Sequence, residues 1–397
     1  MSRIHRQLFL VLVSCLDHVF LEHHYADKVL EKTFKAQRKL GARDRKWVAE
    51  NFYDIVRWWR RLGKQAQIQE NDLLSRRSIC WRVGAHFAGH GDLPAFEEFA
   101  GFHFHPQSSM TEAEKNSVPD WLYELGQSEL GERWLPLLKS LNQQAPVDLR
   151  VNTLKGDLQH LREMLKGENI ATSEVPGVPG ALTLDERKNI FSTKAFQSGF
   201  FEVQDRSSQK VAKLVDPQPG ERIIDACAGG GGKTLHLAAL MKNKGKLISM
   251  DIHEWKLEEL KRRARRNGID IVETKVIESK KVIKRQEGMA DRVLLDVPCS
   301  GLGVLRRNPD AKWKLSLQQI QDLRSLQKQI LEDYSMMVKP GGVLVYATCS
   351  VLPSENELQV QAFLKQNPDW TLAQQLRLDP DQVAGDGFFA ARLLKPS

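Results

Sequence analysis

The sequence predicts an α/β protein whose C-terminal part, residues 201–397, forms a doubly wound, mostly parallel sheet. Three observations lead to this prediction. Short apolar runs alternate with helical patterns after residue 200, four glycines separate the first run from a helix, and acidic residues end two successive runs. Residues 1–115 instead have apolar positions three and four apart, which indicates an all-α domain. A small α/β segment, 116–200, is expected between the two.

One βαβ unit is predicted between Glu221 and Asp251. A buried strand, Arg222–Asp225, precedes Ala226-Cys227-Ala228 and the glycines 229–232. Lys233 then opens an apolar helix, and a second strand ends at Asp251. Because glycines let the backbone pass close to a ligand and a terminal acid can bind ribose hydroxyls, this unit indicates a nucleotide site.

Three ligands compete for that unit. A phosphate-binding P-loop needs a glycine at the position of Cys227, so this motif is absent. Four consecutive glycines satisfy the dinucleotide pattern G-x-G-x-x-G only loosely. S-adenosylmethionine needs a glycine turn and an acid at the end of each strand, and Asp225 and Asp251 supply these acids. The pattern favours S-adenosylmethionine, with a glycine-rich turn in another α/β protein as the alternative.

Composition restricts the classes of protein that remain. The chain has 397 residues, a formal net charge of +8 and five cysteines without paired spacing, which fits a reducing cytosol. No apolar run approaches the roughly 18 residues of a membrane span, and the run Leu8–Cys15 continues as an amphipathic helix without a signal-peptide cleavage site. We expect a cytoplasmic monomer that binds neither membrane nor metal.

Basic residues are concentrated in the N-terminal helices. Six lie between Lys35 and Lys46 and four between Arg57 and Lys64, with Trp58 and Trp59 interleaved. This mixture suits RNA phosphates and bases, although the tryptophans are more typical of a helical core. The histidines at 86, 90, 103 and 105 lack the spacing of metal ligands. A polar stretch with prolines near both ends, 102–119, predicts a linker.

Two cysteines follow the predicted fourth and fifth strands of the sheet. Cys299 follows Asp296, and Cys349 follows the strand that ends near Ala347. Methyl transfer to amines or hydroxyls needs no thiol, but carbon 5 of a pyrimidine is a poor nucleophile until a thiolate adds to carbon 6. A carboxylic acid at ring nitrogen 3, for which Asp296 is a candidate, stabilises that addition. The residues alone do not decide which cysteine is the nucleophile.

The motifs DACAGGGGKT, DVPCSG and YATCSVLPSENE resemble those of the RsmB/Nop/Sun family of RNA cytosine-C5 methyltransferases. RVNTLK, FEVQDRSSQ, RRNPDAKW, KPGG and DGFFAARL match in the family's order. The stretch ADKVLEKTFKAQRKLGARDRKW is similar to the NusB-like domain of bacterial RsmB. The resemblance implies a class I S-adenosylmethionine-dependent methyltransferase sheet preceded by a NusB-like domain that helps to grip RNA.

It also implies roles for individual residues. Cys349 would be the nucleophile, Cys299 would assist product release, and Asp296 would lie between cofactor and base. The expected S-adenosylmethionine-binding residues are Asp225, Cys227, Ala228, Gly229, Gly230, Gly231, Gly232, Lys233, Asp251, Glu278 and Asp296. Two positions depart from the family: Gly229-Gly230 replaces its usual Ala-Pro, and Glu278 and Ser279 are the nearest candidates for its adenine-binding Asp. Glu278 could serve, with an ordinary surface glutamate as the alternative.

Ribosomal RNA is the expected substrate, and transfer RNA is the alternative within the same chemistry. A non-catalytic RNA-binding factor in ribosome assembly is the alternative from a different class. Loss of catalytic function would be expected to erode at least one of Asp251, Asp296, Cys299 and Cys349, and all four are present. A DNA cytosine methyltransferase is disfavoured because no target-recognition insertion is visible.

Overall fold

The computed structural model describes residues 4–69, 74–106 and 109–397. Two compact units are present, Met1–Gln143 with Leu305–Leu317 and Gln144–Val304 with Gln318–Ser397. These units divide the chain at 143 rather than at 115 and 200, and the three-domain division remains a prediction. Residues 107 and 108 of the predicted linker lie outside the described part. Within the described ranges, no helix is long and apolar enough to cross a bilayer.

The first unit is helical, as its periodicity predicts. Its helices up to residue 143 are α1 (Arg6–Phe20), α2 (Ala26–Ala36), α3 (Ala42–Arg57), α4 (Trp59–Gln65), α5 (Arg76–Gly89), α6 (Glu112–Lys115), α7 (Asp120–Leu130) and α8 (Trp134–Leu141). Apolar faces of α1, α3 and α5 form one core that includes Leu12, Phe52 and Ile79. Trp59 is buried and stacks on Phe20 with ring centroids 3.5 Å apart, so it is a core residue.

The second unit begins with a small antiparallel sheet, in the order β2-β3-β1-β4. Its elements are β1 (Asp148–Val151), α9 (Leu158–Gly167), β2 (Thr172–Glu174), β3 (Ala181–Leu184), α10 (Lys194–Gln197) and β4 (Phe201–Val203). The helix predicted from Leu154 begins later because the Asp157 side chain caps it by accepting from the His160 N–H. Strand β2 was not predicted, since it buries only Thr172 and has no apolar run.

The remaining chain forms the predicted doubly wound sheet. Its elements are α11 (Arg206–Val215), β5 (Arg222–Asp225), α12 (Gly232–Leu240), β6 (Lys246–Asp251), α13 (Glu254–Asn267), β7 (Val272–Val276), α14 (Lys280–Lys284), β8 (Ala290–Asp296), α15 (Ala311–Lys314), α16 (Leu317–Ser335), β9 (Val338–Thr348), α17 (Glu357–Gln366), β10 (Thr371–Leu378), α18 (Pro380–Val383) and β11 (Phe388–Leu394). The strand order across the sheet is β10-β11-β9-β8-β5-β6-β7. The five neighbouring strands β9, β8, β5, β6 and β7 are parallel to one another. Strand β11 pairs antiparallel with β9, and β10 pairs antiparallel with β11.

Alternate residues of each strand pack on opposite faces of this sheet. Ile223 joins α11 and α12 in one core cluster, whereas its neighbour Ile224 joins α16 and α17 in the other. One detail differs from expectation, because Lys339–Gly342 was predicted as a turn and lies within β9. The pairing of β8 with β9 is irregular at this point, with a register shift between Ala290 and Arg292 of β8. Short 3-10 turns lie at Leu302–Val304 and Pro353–Glu355.

The RRNPDAKW segment belongs to the helical unit rather than to the sheet. Asp310 accepts a hydrogen bond of 3.0 Å from the Ala26 N–H at the start of α2 and pairs with Lys314. Buried Lys312 donates to the Arg57 carbonyl at 2.8 Å. The Trp313 indole donates to the Val56 carbonyl at 2.8 Å. These contacts give the segment a structural role in packing the helices.

We expect Asp310→Ala to lower the free energy of unfolding by about 1–2 kcal/mol, because it removes a carboxylate from the N-terminus of α2 and leaves Lys314 without its buried partner. Urea denaturation followed by circular dichroism measures this change. Asp369→Ala, at an exposed position, is the matched control. Equal stability of the two variants would show that the Asp310 contact does not hold α2.

Candidate active site

The carboxyl ends of the parallel strands bring the predicted acidic residues and cysteines to one edge of the sheet. Asp225 ends β5, Asp251 ends β6 and Asp296 ends β8. Cys349 directly follows β9. Because parallel strands end at the same edge of the sheet, these acidic and cysteine side chains come together there although they are far apart in the sequence.

The glycine turn adopts a backbone that requires glycine at two positions. Gly229 has φ +53° and Gly231 has φ +86°, both in the left-handed region. A Cβ at Gly231 would lie 2.6 Å from Leu260 Cγ, whereas one at Gly229 or Gly232 would meet nothing within 4 Å. The turn therefore packs tightly against α13 at Gly231 and leaves open space at Gly229 and Gly232. The Gly229 N–H donates to Asp251 Oδ2 at 2.9 Å, which links the turn to β6.

An arginine of α13 supports the same turn. Arg263 donates to the Gly230 carbonyl at 2.6 Å and to Glu202 Oε2 at 2.8 Å. Glu202 is almost fully buried, and it also accepts from Asn267 at 2.6 Å and pairs with Arg266. Burial alone would raise the pKa of Glu202, but these partners hold it below its ordinary value. Gly230 thus has a fixed anchor although it is not the proline that the resemblance leads one to expect at this position.

A cavity of about 260 Å³ opens beside the turn. Its lining consists of Gln204, Ser208, Asp225, Cys227, Ala228, Gly229, Gly230, Gly232, Lys233 and Asp296. Gln204 and Ser208 were not predicted as site residues; their only signal was the motif FEVQDRSSQ. Buried Arg150 of β1 donates to Gln204 Oε1 at 2.7 Å, so the small sheet orients a side chain of the cavity.

Asp225 carries an acceptor that the protein leaves unused. The side chain is 1 % exposed, and its Oδ2 accepts from the Thr234 hydroxyl at 2.7 Å. Its buried Oδ1 has no hydrogen-bond partner among the described residues. Burial is the main cause that raises the pKa of Asp225 to about 7. An orphaned acceptor on a cavity wall, next to an open glycine turn, fits a ligand with several donors such as S-adenosylmethionine.

Lys233 and Asp296, which both line the cavity, form an ion pair with Nζ and Oδ2 2.7 Å apart. Burial by itself would lower the pKa of Lys233, but the charge of Asp296 and its hydrogen bond raise it overall. The ammonium also lies 4.9 Å from the centroid of the Phe388 ring, in the DGFFAARL motif. Lys233 therefore remains a cation that fixes the Asp296 carboxylate.

The two candidate catalytic cysteines meet, with Cys299 Sγ and Cys349 Sγ 3.4 Å apart. This contact, together with burial, raises the pKa of Cys299 well above its ordinary value. The Cys349 carbonyl accepts from the Gly303 N–H at 2.9 Å, and the Gly303 carbonyl accepts from Gly387 at 2.8 Å. A Cβ on Gly303 would lie 2.2 Å from the Gly387 oxygen, so three chain segments are closely packed behind the sulfurs.

Glu278 and Asp251 do not belong to the cavity lining. Glu278 follows β7 and is exposed, and its expected role with adenine remains a prediction. Asp251 is buried and accepts from the His253 N–H at 2.8 Å as well as from Gly229. Cys227 lines the cavity, and burial raises the pKa of its thiol well above the ordinary value. The thiol therefore contributes an uncharged surface to the cavity.

Comparisons with known families agree with this geometry. A family model described as 16S rRNA methyltransferase RsmB/F matches residues 212–394. A model of the ferredoxin-like domain of RsmF/B-like methyltransferases matches residues 118–191. The chain is 36% identical over 310 residues to the probable ribosomal RNA small subunit methyltransferase B of Synechocystis sp., covering 73% of this chain and 69% of the relative. It is 35% identical to ribosomal RNA small subunit methyltransferase B of Proteus mirabilis, covering 70% of this chain and 65% of that protein.

Solved structures show the same fold. The crystal structure of PH0851 has a TM-score of 0.85 and 27% identity, and the match covers 97% of both chains. A methyltransferase homolog protein from Pyrococcus horikoshii has a TM-score of 0.64 and 30% identity over 72% of this chain and 97% of its own. The predicted fold class is confirmed.

We expect Arg263→Gln to weaken S-adenosylmethionine binding about tenfold, because a charge-assisted hydrogen bond to the glycine turn is worth roughly 1.5 kcal/mol. Titration calorimetry measures the dissociation constant. Arg262→Gln is the matched control, since Arg262 pairs with the nearby Glu259 on the same helix. Unchanged affinity in a folded Arg263→Gln protein would show that the turn needs no support from α13.

The raised pKa of Asp225 predicts that the stability of the cofactor-free protein depends on pH. This pKa is about 7 in the folded protein and 3.8 ordinarily, so the folded state binds more protons between these values. The contribution of Asp225 to the free energy of unfolding should therefore fall as pH rises from about 4 to about 7. Relative to Asp225→Asn, the wild-type protein should lose at most about 1.4 kcal/mol per pH unit. Denaturation at several pH values tests this, and parallel curves would contradict it.

Proposed function

The chain belongs to the RsmB/F family of 16S rRNA methyltransferases, whose cofactor is S-adenosylmethionine, and we propose that it methylates carbon 5 of a cytosine in ribosomal RNA. The contact that carries this proposal is the 3.4 Å approach of the Cys299 and Cys349 sulfurs. Two thiols at the sheet edge that also carries Asp225 and Asp296 suit a nucleophilic mechanism and have no use in methylation of an amine.

Cys349 is the nucleophile in this proposal. Its thiol gives its proton to the Asp296 carboxylate, the sulfur bonds to carbon 6 of the cytosine, and the ring electron pair becomes available at carbon 5. When bound, S-adenosylmethionine would supply an electrophilic methyl group for carbon 5 and leave as S-adenosylhomocysteine. Water then takes the carbon 5 proton, the bond between Cys349 and carbon 6 breaks with its electron pair on sulfur, and nitrogen 3 returns its proton through Asp296, which restores the aromatic ring. Cys299, in contact with the same sulfur, assists this release.

Asp296 stabilises the addition in this proposal. Its carboxyl group, having taken the thiol proton, donates it to ring nitrogen 3 of the cytosine, which accepts electron density as the sulfur adds to carbon 6. Lys233 supports this role because its ammonium, 2.7 Å from Oδ2, fixes the orientation of the carboxyl group. Lys233 acts through Asp296 and is a positioning residue.

The cavity residues would hold the cofactor. Asp225 Oδ1 accepts a hydrogen bond from it, and the open side of Gly229 and Gly232 admits it close to the backbone. Asp251, at the end of β6, would bind the ribose hydroxyls, and Cys227, Ala228, Gly230 and Gly231 complete the turn. Glu278 is proposed to accept from the adenine amino group.

The substrate remains the finer part of the proposal. Ribosomal RNA is favoured because relatives at 35–36% identity carry that substrate in their names, and the helical unit with its basic residues is proposed to contact RNA as a NusB-like domain in a cytoplasmic monomer. Bisulfite sequencing of RNA from a deletion strain tests this, since the cytosine that loses its methyl group names the substrate. A lost site in transfer RNA, or no lost site, would overturn the ribosomal assignment.

The cysteine roles predict different fates for the covalent intermediate. With cofactor and target RNA, Cys349→Ala should give no methylation and no protein–RNA adduct, because the nucleophile is gone. Cys299→Ala should accumulate the adduct, because release is blocked. Denaturing gels detect the adduct, and Cys80→Ala, in the core of the helical unit, is a control that should methylate normally. An adduct that survives in Cys349→Ala would overturn the assignment.

A further inference from the structure

A fully buried carboxylate lies behind the two cysteines. Glu355 is 0 % exposed and ends the 3-10 turn Pro353–Glu355, which follows the Cys349 loop. Glu355 does not line the cofactor cavity, and the proposed chemistry assigns it no step. A buried carboxyl group without a structural or functional task is costly, and this one is bonded at both oxygens.

The two oxygens of Glu355 bind the residues that follow each cysteine. Oε2 accepts from the Ser300 hydroxyl at 2.5 Å and from the Ser350 hydroxyl. Oε1 accepts from the Ser300 N–H at 2.8 Å and from Gln327 Nε2 at 2.9 Å. Gln327 also donates to the Pro298 carbonyl at 2.9 Å, so the loop after β8 is held on both sides of Cys299. We call Glu355, Ser300, Ser350 and Gln327 the carboxylate clamp.

Backbone contacts fix the directions of these bonds. The Ser350 oxygen accepts from the Leu352 N–H at 3.1 Å, and its hydrogen is therefore directed to Glu355. The Glu355 carbonyl accepts from the Tyr346 hydroxyl of β9 at 2.7 Å, which anchors the clamp to the sheet. Charge-assisted bonds inside a protein are stronger than exposed ones because water does not compete. The clamp is thus a rigid connection between two loops that are separate in sequence.

We propose that Glu355 is a positioning residue that sets the separation between the Cys299 and Cys349 sulfurs. The proposal rests on the proposed function for its catalytic consequence, because Cys299 must reach the adduct on Cys349. Without the carboxylate, the Ser300 N–H and the Ser350 hydroxyl lose their buried acceptors and the two loops separate. The cofactor cavity keeps all its lining residues.

The experiment compares Glu355→Ala and Glu355→Gln with the wild-type protein. We expect Glu355→Ala to lower kcat about 100-fold, since a misplacement of about 1 Å has that effect, while KM for S-adenosylmethionine stays within about threefold. Glu355→Gln should retain most activity. Its amide oxygen can serve the two N–H donors, and its NH₂ can face the serine hydroxyls, which rotate to accept.

A second measurement reports the distance between the sulfurs without any catalysis. Diamide oxidises the pair, taking two electrons and two protons as one disulfide bond forms between Cys299 and Cys349, and mass spectrometry follows the loss of two hydrogens. We expect this disulfide to form about tenfold more slowly in Glu355→Ala, because the effective concentration of one thiol at the other falls. Unchanged oxidation and unchanged kcat in a folded Glu355→Ala protein would overturn the proposal.

Controls separate positioning from loss of stability and from the proposed function. Glu357→Ala removes a nearby carboxylate that pairs with Arg377, and it should lower stability without slowing disulfide formation. If Glu355→Ala does not fold, Ser350→Ala removes one bond of the clamp and should slow oxidation severalfold; an unchanged rate in that variant also contradicts the proposal. The oxidation rate does not depend on methylation, so a failure of the cysteine mechanism leaves this test intact.

Discussion

Two sulfur atoms from different loops can stay 3.4 Å apart only if both loops are fixed. The sheet supplies the first constraint, because parallel pairing of β8 and β9 aligns the strands that precede Cys299 and Cys349. Close backbone packing of Gly303 against Gly387 supplies the second. The buried carboxylate of Glu355 supplies the third, since it bonds to the residue after each cysteine. The positions of the two thiols at this edge of the sheet therefore depend on the packing of the chain around them.

The cofactor side of the site follows a different principle. Here the described part of the chain offers Asp225 Oδ1 no hydrogen-bond partner, and burial raises the pKa of this carboxyl group toward neutrality. A protein accepts such a cost where a ligand restores the missing hydrogen bond. The adjacent glycine turn is rigid, because Arg263 and Asp251 hold it from two directions. The Asp225 acceptor beside this fixed turn therefore suits a ligand that carries several hydrogen-bond donors.

The helical unit contains a segment that the order of sequence motifs would assign to the sheet. Residues 305–317 follow the turn Leu302–Val304 of the Cys299 loop, yet they belong to the helical unit, and the partly buried Trp313 packs against its core. Asp310 and Trp313 bond to backbone groups that helix ends and bends leave available. A motif matched to a catalytic family can therefore serve helix packing, and motif position alone does not indicate a catalytic role.

The sequence by itself determined the parallel sheet, the glycine turn and the presence of acids and thiols at strand ends, because hydrophobic periodicity and glycine spacing are local properties of the chain. It missed β2, which buries one residue, and it gave no chemical reason to select Gln204, Ser208 or Glu355. Only the tertiary structure showed this strand and the positions of these three side chains. Their roles arise from distances between residues far apart in the chain, which depend on how closely the backbones pack, and this packing leaves no periodic signal in the sequence.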